Sequence, residues 1–317
     1  MAWLRLIRWK NLLIIFLTQF LAWRCVIVPQ ISGLISHRAF FFFTVNFLCI
    51  SISTILIAAA GYIINDYFDI KIDSINHPGK VILEKVIPRK QAIISHTALN
   101  LLALLLAGIV AIQAHHPEWL LFQAGCTLLL WFYSTHFKRQ YITGNVVVAL
   151  LTALTIIVLL VYEPALHSGL QIRSLGNILS APEWVLFVYA YFAFMLTWMR
   201  EIVKDMEDLK GDDAAGCVTM PIKRGLDYST RFIMILASLV VLPLTAVSVV
   251  LFRHHNIIPP LYITGALILP LIIWALFLGR KFTVQHYHNA SNGLKLIMMV
   301  GICSLLIYHF ILATNCA

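Results

Sequence analysis

Charge is what this chain has least of. Only 12% of its residues are charged and 61% are hydrophobic, where soluble domains carry about a quarter charged and under half apolar. A soluble fold could not hide that much apolar surface, which excludes a soluble enzyme, a nucleic-acid reader and a disordered tail. Paired cysteines are missing too. Cys25, Cys49, Cys126, Cys217, Cys303 and Cys316 stand far apart with no CxxC pair and no zinc-type spacing, so they read as small apolar residues rather than a disulfide framework. No Walker loop, dinucleotide glycine pattern or Ser-His-Asp arrangement stands out. The solvent for most of this chain is lipid.

What is present is a series of apolar runs near the ~20 residues needed to cross a bilayer. Nine are found, at 11–29, 40–64, 91–113, 119–136, 143–162, 184–200, 231–252, 259–279 and 293–314. The expected fold is therefore an all-α polytopic membrane protein, one domain over 1–317 with nine transmembrane helices. The first run follows Arg5, Arg8 and Lys10 but lacks a small-residue cleavage site, so it reads as a mature helix and not a signal peptide.

Alternation gives the orientation. With the N-terminus inside, 19 of the 23 Lys and Arg residues fall on the cytoplasmic side, leaving Arg24, Arg38, Arg173 and Arg253 outside. This predicts a multi-pass protein of the cell (inner) membrane, N-terminus in and C-terminus out. The net charge of +9 then reflects membrane lipids and no nucleic acid. The outer connections, including His254-His255-Asn256 and 163–183, are bland. Two inner ones, 65–90 and 201–230, are long and polar.

Two acidic patches within those connections, 66–73 and 205–213, hold seven of the eight aspartates, with Asp227 the exception. Asp66, Asp69 and Asp73 are spaced i, i+3, i+7; so are Asp205, Asp208 and Asp212, each 139 positions after its counterpart. On a helix each trio falls within roughly 60° of one face. Three carboxylates there repel one another and need a counter-charge. Hard oxygens suit Mg2+, which takes one or two carboxylates plus substrate phosphate oxygens. Two such helix ends facing each other would hold metal with a diphosphate bridging the ions. Lys80, Lys85, Lys138, Arg139, Arg200 and Lys204 are cations available to phosphate.

At these residues a resemblance emerges. Asn65-Asp66-x-x-Asp69-x-x-x-Asp73 resembles the NDxxDxxxD signature of the UbiA-type intramembrane prenyltransferases, and Asp205-x-x-Asp208-x-x-x-Asp212 resembles their second, DxxDxxxD, signature. Leu6-Ile7-Arg8-Trp9-Lys10-Asn11 and the run Ala60 to Asp69 are similar to the branch that makes ether-lipid precursors. One stretch departs. Many members follow the first motif with Asn-Arg-Pro and an Arg-Pro-Ile-Pro-x-Gly run, where this chain has Asn76-His77-Pro78-Gly79-Lys80 and on to Lys85. Lys80 and Lys85 are left as the loop cations for diphosphate.

The resemblance implies a pocket open to the cytoplasmic side and Mg2+ as cofactor, held by Asp66, Asp69, Asp73, Asp205, Asp208 and Asp212, with Asp66, Asp69, Asp205 and Asp208 catalytic. It implies a polyprenyl diphosphate donor and transfer of a geranylgeranyl group to the hydroxyl of a glycerol-phosphate lipid. Asn65, Tyr133, Lys138, Arg139, Arg200 and Lys204 are its substrate-binding candidates. Tyr133-x-x-x-x-Lys138-Arg139 resembles a family segment near the pocket. Aromatic residues near the motifs (Tyr62, Tyr67, Phe68, Trp131 and Trp198) could face an allylic cation. His286-x-His288 lacks the third ligand that a metal site needs.

Two other readings stand beside this one. An aromatic acceptor, as in quinone biosynthesis, would keep the enzyme and change the product. A transporter or divalent-cation carrier would place its ionisable residues near the bilayer midplane, whereas here they gather at span ends. No protein partner is indicated.

Overall fold

Backbone inside lipid has no water to bond, so each crossing segment must satisfy its own N–H and C=O groups, as a helix does. The computed structural model describes residues 1–317 apart from 32–35, 77, 80, 164–181, 254–256, 280–282 and 316–317. The described residues are helical, with a lone bridge between Leu83 and Ile87. The helices are α1 (Ala2–Leu6), α2 (Trp9–Ala22), α3 (Val28–Ile31), α4 (His37–Asn76), α5 (Arg89–Gln113), α6 (Leu120–Thr135) and α7 (Thr143–Val161). They continue with α8 (Pro182–Glu207), α9 (Leu209–Ala214), α10 (Met220–Arg224), α11 (Leu226–Arg253), α12 (Ile258–Tyr262), α13 (Leu269–Leu278) and α14 (Val284–Asn315). Wider π turns at Trp23–Ile27 and Ile263–Ile268 join α2 to α3 and α12 to α13.

Among the described residues eight helical segments are long and apolar enough to cross a membrane. The ninth expected span, 119–136, is α6, which has only 16 residues and covers about 24 Å against about 30 Å of hydrocarbon. Short 3-10 turns, Pro117–Trp119 and Phe137–Arg139, bound it at either end. The expected turn His254-His255-Asn256 and most of 163–183 lie outside the described residues.

The surface is that of an integral, multi-pass membrane protein. On α5, Leu101, Leu105, Ile109 and Ile112 are exposed at helical spacing, as are Leu242 and Val249 on α11 and Ile273 and Leu276 on α13. Hydroxyls fold back onto their own helices: Thr18, Thr54, Thr127 and Ser134 each donate to the carbonyl four residues earlier. This is how polar side chains are accommodated where water is absent.

The chain forms two compact units, Met1–Lys138 with Leu151–Ala190, and Arg139–Leu150 with Tyr191–Ala317. In the first, α4 packs against α2, α5 and α6. The approach to α6 is close at Gly61, where any Cβ would stand 2.9 Å from Leu130 Cδ2. Buried polar groups tie the helices together. Gln19 Nε2 donates to the Thr155 carbonyl at 2.8 Å and Ser53 Oγ to that of Ala103 at 2.8 Å.

The second unit is built on Met199, Ile202, Val203, Ile233, Leu271 and Leu294, all buried in one cluster. Trp274 Nε1 donates to the Ala290 carbonyl at 2.8 Å, joining α13 to α14. Pro243 lies inside α11 and has no N–H for the carbonyl four residues back. That carbonyl belongs to Leu239, and the Tyr191 hydroxyl donates to it at 2.8 Å. A side chain from α8 thus replaces the hydrogen bond the proline removes.

Tyr191→Phe should therefore cost about 1 kcal/mol of unfolding free energy, the size of an intramembrane side-chain hydrogen bond. In a Pro243→Ala background the restored N–H serves Leu239 and the same change should cost close to nothing. Thermal unfolding of the four proteins in detergent measures this cycle, and an equal loss in both backgrounds would refute the replacement.

Candidate active site

Nothing between Asn65 and Asn76 breaks a helix, since the stretch has neither proline nor glycine before Pro78-Gly79. Accordingly α4 runs past the expected span end at 64 and on to Asn76. The first trio, expected in a connection, is one face of a helix. Buried Ile63, Ile64 and Ile72 hold that helix end to its unit, and Asn65 Nδ2 donates to Asp69 Oδ2 at 2.7 Å one turn on.

The second trio departs from the expected single face. Helix α8 ends at Glu207, and Asp208 (φ −91°, ψ 8°) forms the break before α9. Asp205 thus closes one helix, Asp208 sits in the bend and buried Asp212 belongs to the next. The cause is local. Clustered like charges and Gly211 weaken the helix here.

The counter-charges of the first trio come from the chain itself. Arg8 Nη2 donates to Asp66 Oδ1 at 2.8 Å, and the Lys138 ammonium is paired with the nearly buried Asp69 carboxylate. Burial works against the Lys138 charge, but Asp69 outweighs it and holds the ammonium above the ordinary lysine value. The Arg8 guanidinium is likewise held above its usual value, burial opposing and Asp66 prevailing. Asp73 lies one turn further on, half-buried and within electrostatic reach of Asp69 and Lys138.

Arg8 is placed with care. Leu6, completely buried, forms a small core with Ile63, Leu83, Ile87 and Ala92 that seats the N-terminal segment on α4. Arg8 itself is left-handed (φ 52°, ψ 52°), a conformation that costs a non-glycine residue about 1–2 kcal/mol and persists where surrounding contacts enforce it. Its guanidinium lies over the Tyr62 ring, 4.9 Å from the centroid. Asn11 Nδ2 donates to the Tyr62 hydroxyl at 3.3 Å.

Around the second motif, Asn145 Nδ2 donates to Asp205 Oδ2 at 2.8 Å. Arg200 and Lys204, expected at phosphate, both turn to the buried Glu201, at 3.2 and 2.9 Å. Arg200 Nε stays buried without a hydrogen-bond partner. His288 Nδ1 lies 2.8 Å from Glu207 Oε1, giving His288 a clamping contact on the end of α8.

The other expected site residues scatter. Lys85 is exposed and donates to the Pro78 carbonyl at 3.0 Å, while Lys80 lies outside the described residues. Tyr133 is near enough to Lys138 to act on its charge. Arg139 is exposed, and its carbonyl accepts the Val218 N–H at 2.9 Å. Of the aromatic candidates, Tyr62 and Tyr67 lie under Arg8 and Arg89, Phe68 meets the edge of Trp131 at 6.1 Å, and Trp198 packs between Phe194 and Phe232.

Arg8, Asn145, Glu201, Glu207 and His288 were not among the expected site residues. The available signals were an arginine just ahead of the first span and an asparagine opening an otherwise apolar run.

The donors fit a hard divalent cation. They are carboxylate oxygens, joined by Asn65 Oδ1, a buried acceptor with no hydrogen-bond partner. Among the described residues no three His, Cys, Asp or Glu side chains form a ready metal cage.

The chain is similar to several known proteins. Relatives named digeranylgeranylglyceryl phosphate synthase include one from Methanosphaera stadtmanae, 27% identical over 88% of this chain and 92% of that protein. Another, from Sulfurisphaera tokodaii, is 33% identical over 71% of this chain and 72% of that protein. A solved structure of a UbiA homologue from Archaeoglobus fulgidus bound to DMAPP and Mg2+ shares the fold, with a TM-score of 0.60 at 16% identity over 96% of this chain and 99% of the other. Residues 26–287 match the model of the UbiA prenyltransferase family. The chain belongs to that family and is a prenyltransferase.

Proposed function

We propose that this prenyltransferase is Mg2+-dependent and transfers a geranylgeranyl group from its diphosphate to the hydroxyl of a glycerol-phosphate lipid, releasing diphosphate. The observation that carries the reading is the C-terminal end of α4, where an aspartate face and an unpaired Asn65 oxygen meet two cations, Arg8 and Lys138. The names of the relatives support the acceptor, and the DMAPP and Mg2+ bound by the A. fulgidus homologue support the donor class and the metal.

In this reading Asp66, Asp69, Asp73, Asp205, Asp208 and Asp212 supply carboxylates for Mg2+. An ion held by these carboxylates would supply positive charge against the departing diphosphate. Lys138 and Arg8, with Arg200 and Lys204, bind phosphate oxygens, and Lys80, Lys85 and Arg139 are further candidates. Tyr133, beside Lys138, borders the same phosphates. The acceptor hydroxyl attacks the allylic carbon as the C–O bond breaks, and its proton passes to a carboxylate or water. The apolar exterior keeps both prenyl tails in lipid while the heads meet the polar residues. The chain is one prenyltransferase domain of the cell membrane, N-terminus in the cytoplasm and C-terminus outside, an orientation that requires the short α6 to cross as the ninth span.

Membranes containing the protein should form labelled product from radiolabelled geranylgeranyl diphosphate, Mg2+ and geranylgeranylglyceryl phosphate. They should form none with an aromatic acid acceptor. Product with the aromatic acid alone would move the chain to a quinone-type branch, and product with neither would remove the assignment. Asp66→Asn and Asp205→Asn should each lower turnover at least about a hundredfold, as loss of an electrostatic anchor does, with folded protein retained; near-normal rates in both would reject the metal role. A tag at the C-terminus should be accessible from outside intact cells, and protection from added protease until the cells are broken would reverse the orientation.

A further inference from the structure

The first aspartate trio is close to neutral. Three carboxylates are opposed by two side-chain cations, Arg8 on Asp66 at 2.8 Å and Lys138 on Asp69, leaving one net negative charge. A divalent cation arriving alone meets two fixed positive charges within contact distance of its ligands. Neither cation is loosely held. Arg8 is confined by its left-handed backbone, by the Tyr62 ring beneath it and by the Asp66 carboxylate. Lys138 leaves a short 3-10 turn directly onto a buried carboxylate.

A diphosphate reverses the balance, because its anionic oxygens satisfy the same two cations while its metal satisfies the carboxylates. From this arrangement we infer that Arg8, assisted by Lys138, makes metal capture depend on diphosphate. It suppresses binding of the free divalent ion and favours the metal–diphosphate pair. The inference rests on the metal reading above and deepens it, since it assigns Arg8 a role and an order of events.

The sign of the effect separates this role from simple support of the fold. A residue that only props up Asp66 would, once removed, weaken metal binding in every condition. A fixed cation, once removed, should strengthen binding of the free ion and weaken binding of the anion.

The test uses the full chain in detergent, Mn2+ as a spectroscopic stand-in for Mg2+ and inorganic pyrophosphate as the anion. Free Mn2+ affinity is read by electron paramagnetic resonance, and radiolabelled pyrophosphate is measured on the protein at saturating Mn2+. Arg8→Gln should bind free Mn2+ several-fold more tightly than the parent and retain pyrophosphate about tenfold less tightly. Arg8→Lys, which keeps the charge, should stay near the parent for free Mn2+. If Arg8→Gln does not fold, Lys138→Gln should show the same pair of opposite changes. Free Mn2+ affinity that is unchanged or weaker in the neutral variant overturns the inference while leaving the metal site standing. A parent protein that binds neither Mn2+ nor its pyrophosphate complex, or an Asp66→Asn variant that binds both normally, overturns the inference together with the metal site beneath it.

Discussion

Six motif aspartates in a chain with so few charges must be neutralised close to home, because the apolar surroundings of a helix end screen charge poorly. The pairing of Arg8 with Asp66 and of Lys138 with Asp69 meets that need, and much of the local architecture follows from it. The N-terminal segment is seated on α4 by buried Leu6, and its backbone turns left-handed at Arg8. A 3-10 turn ends α6 where Lys138 reaches Asp69. Two segments distant in sequence are thereby tied to one helix face.

The second motif follows the same rule with different parts. Asp205 accepts from the Asn145 amide rather than from a cation. Arg200 and Lys204 are spent on Glu201, and Glu207 is matched by His288. Arg200 and Lys204 therefore partner the chain's own acid. The two motifs share a spacing but not a structure, one being a continuous helix face and the other a helix end, a bend and a short helix.

An isoprenoid diphosphate is an amphiphile, and so is this protein. Its helices expose leucine, isoleucine and phenylalanine to lipid, and its aspartates gather at the ends of α4 and α8. Family membership and the relatives' names join that physical match to a reaction class. Where a membrane helix is interrupted, at Pro243, a neighbouring hydroxyl completes the missing hydrogen bond. The interruption is stabilised rather than left open.

Much of this was legible in composition and spacing. Hydropathy located the crossing helices because a span must be apolar over its full length, and eight of the nine runs are helices that meet that demand. The i, i+3, i+7 spacing of Asp66, Asp69 and Asp73 identified a helix face, since helical geometry converts sequence interval directly into angle. The same spacing misread the second trio, because a helix break at Asp208 depends on the balance of local charge and packing and not on interval. The length of α6 escaped hydropathy as well, since the run 119–136 takes in Trp119, which belongs to a 3-10 turn, and His136, which follows the last helical residue. Above all, no interval in the chain announces that Arg8 meets Asp66 or that Asn145 meets Asp205. Those pairs span 58 and 60 residues, and only the folding of distant segments against each other chose them.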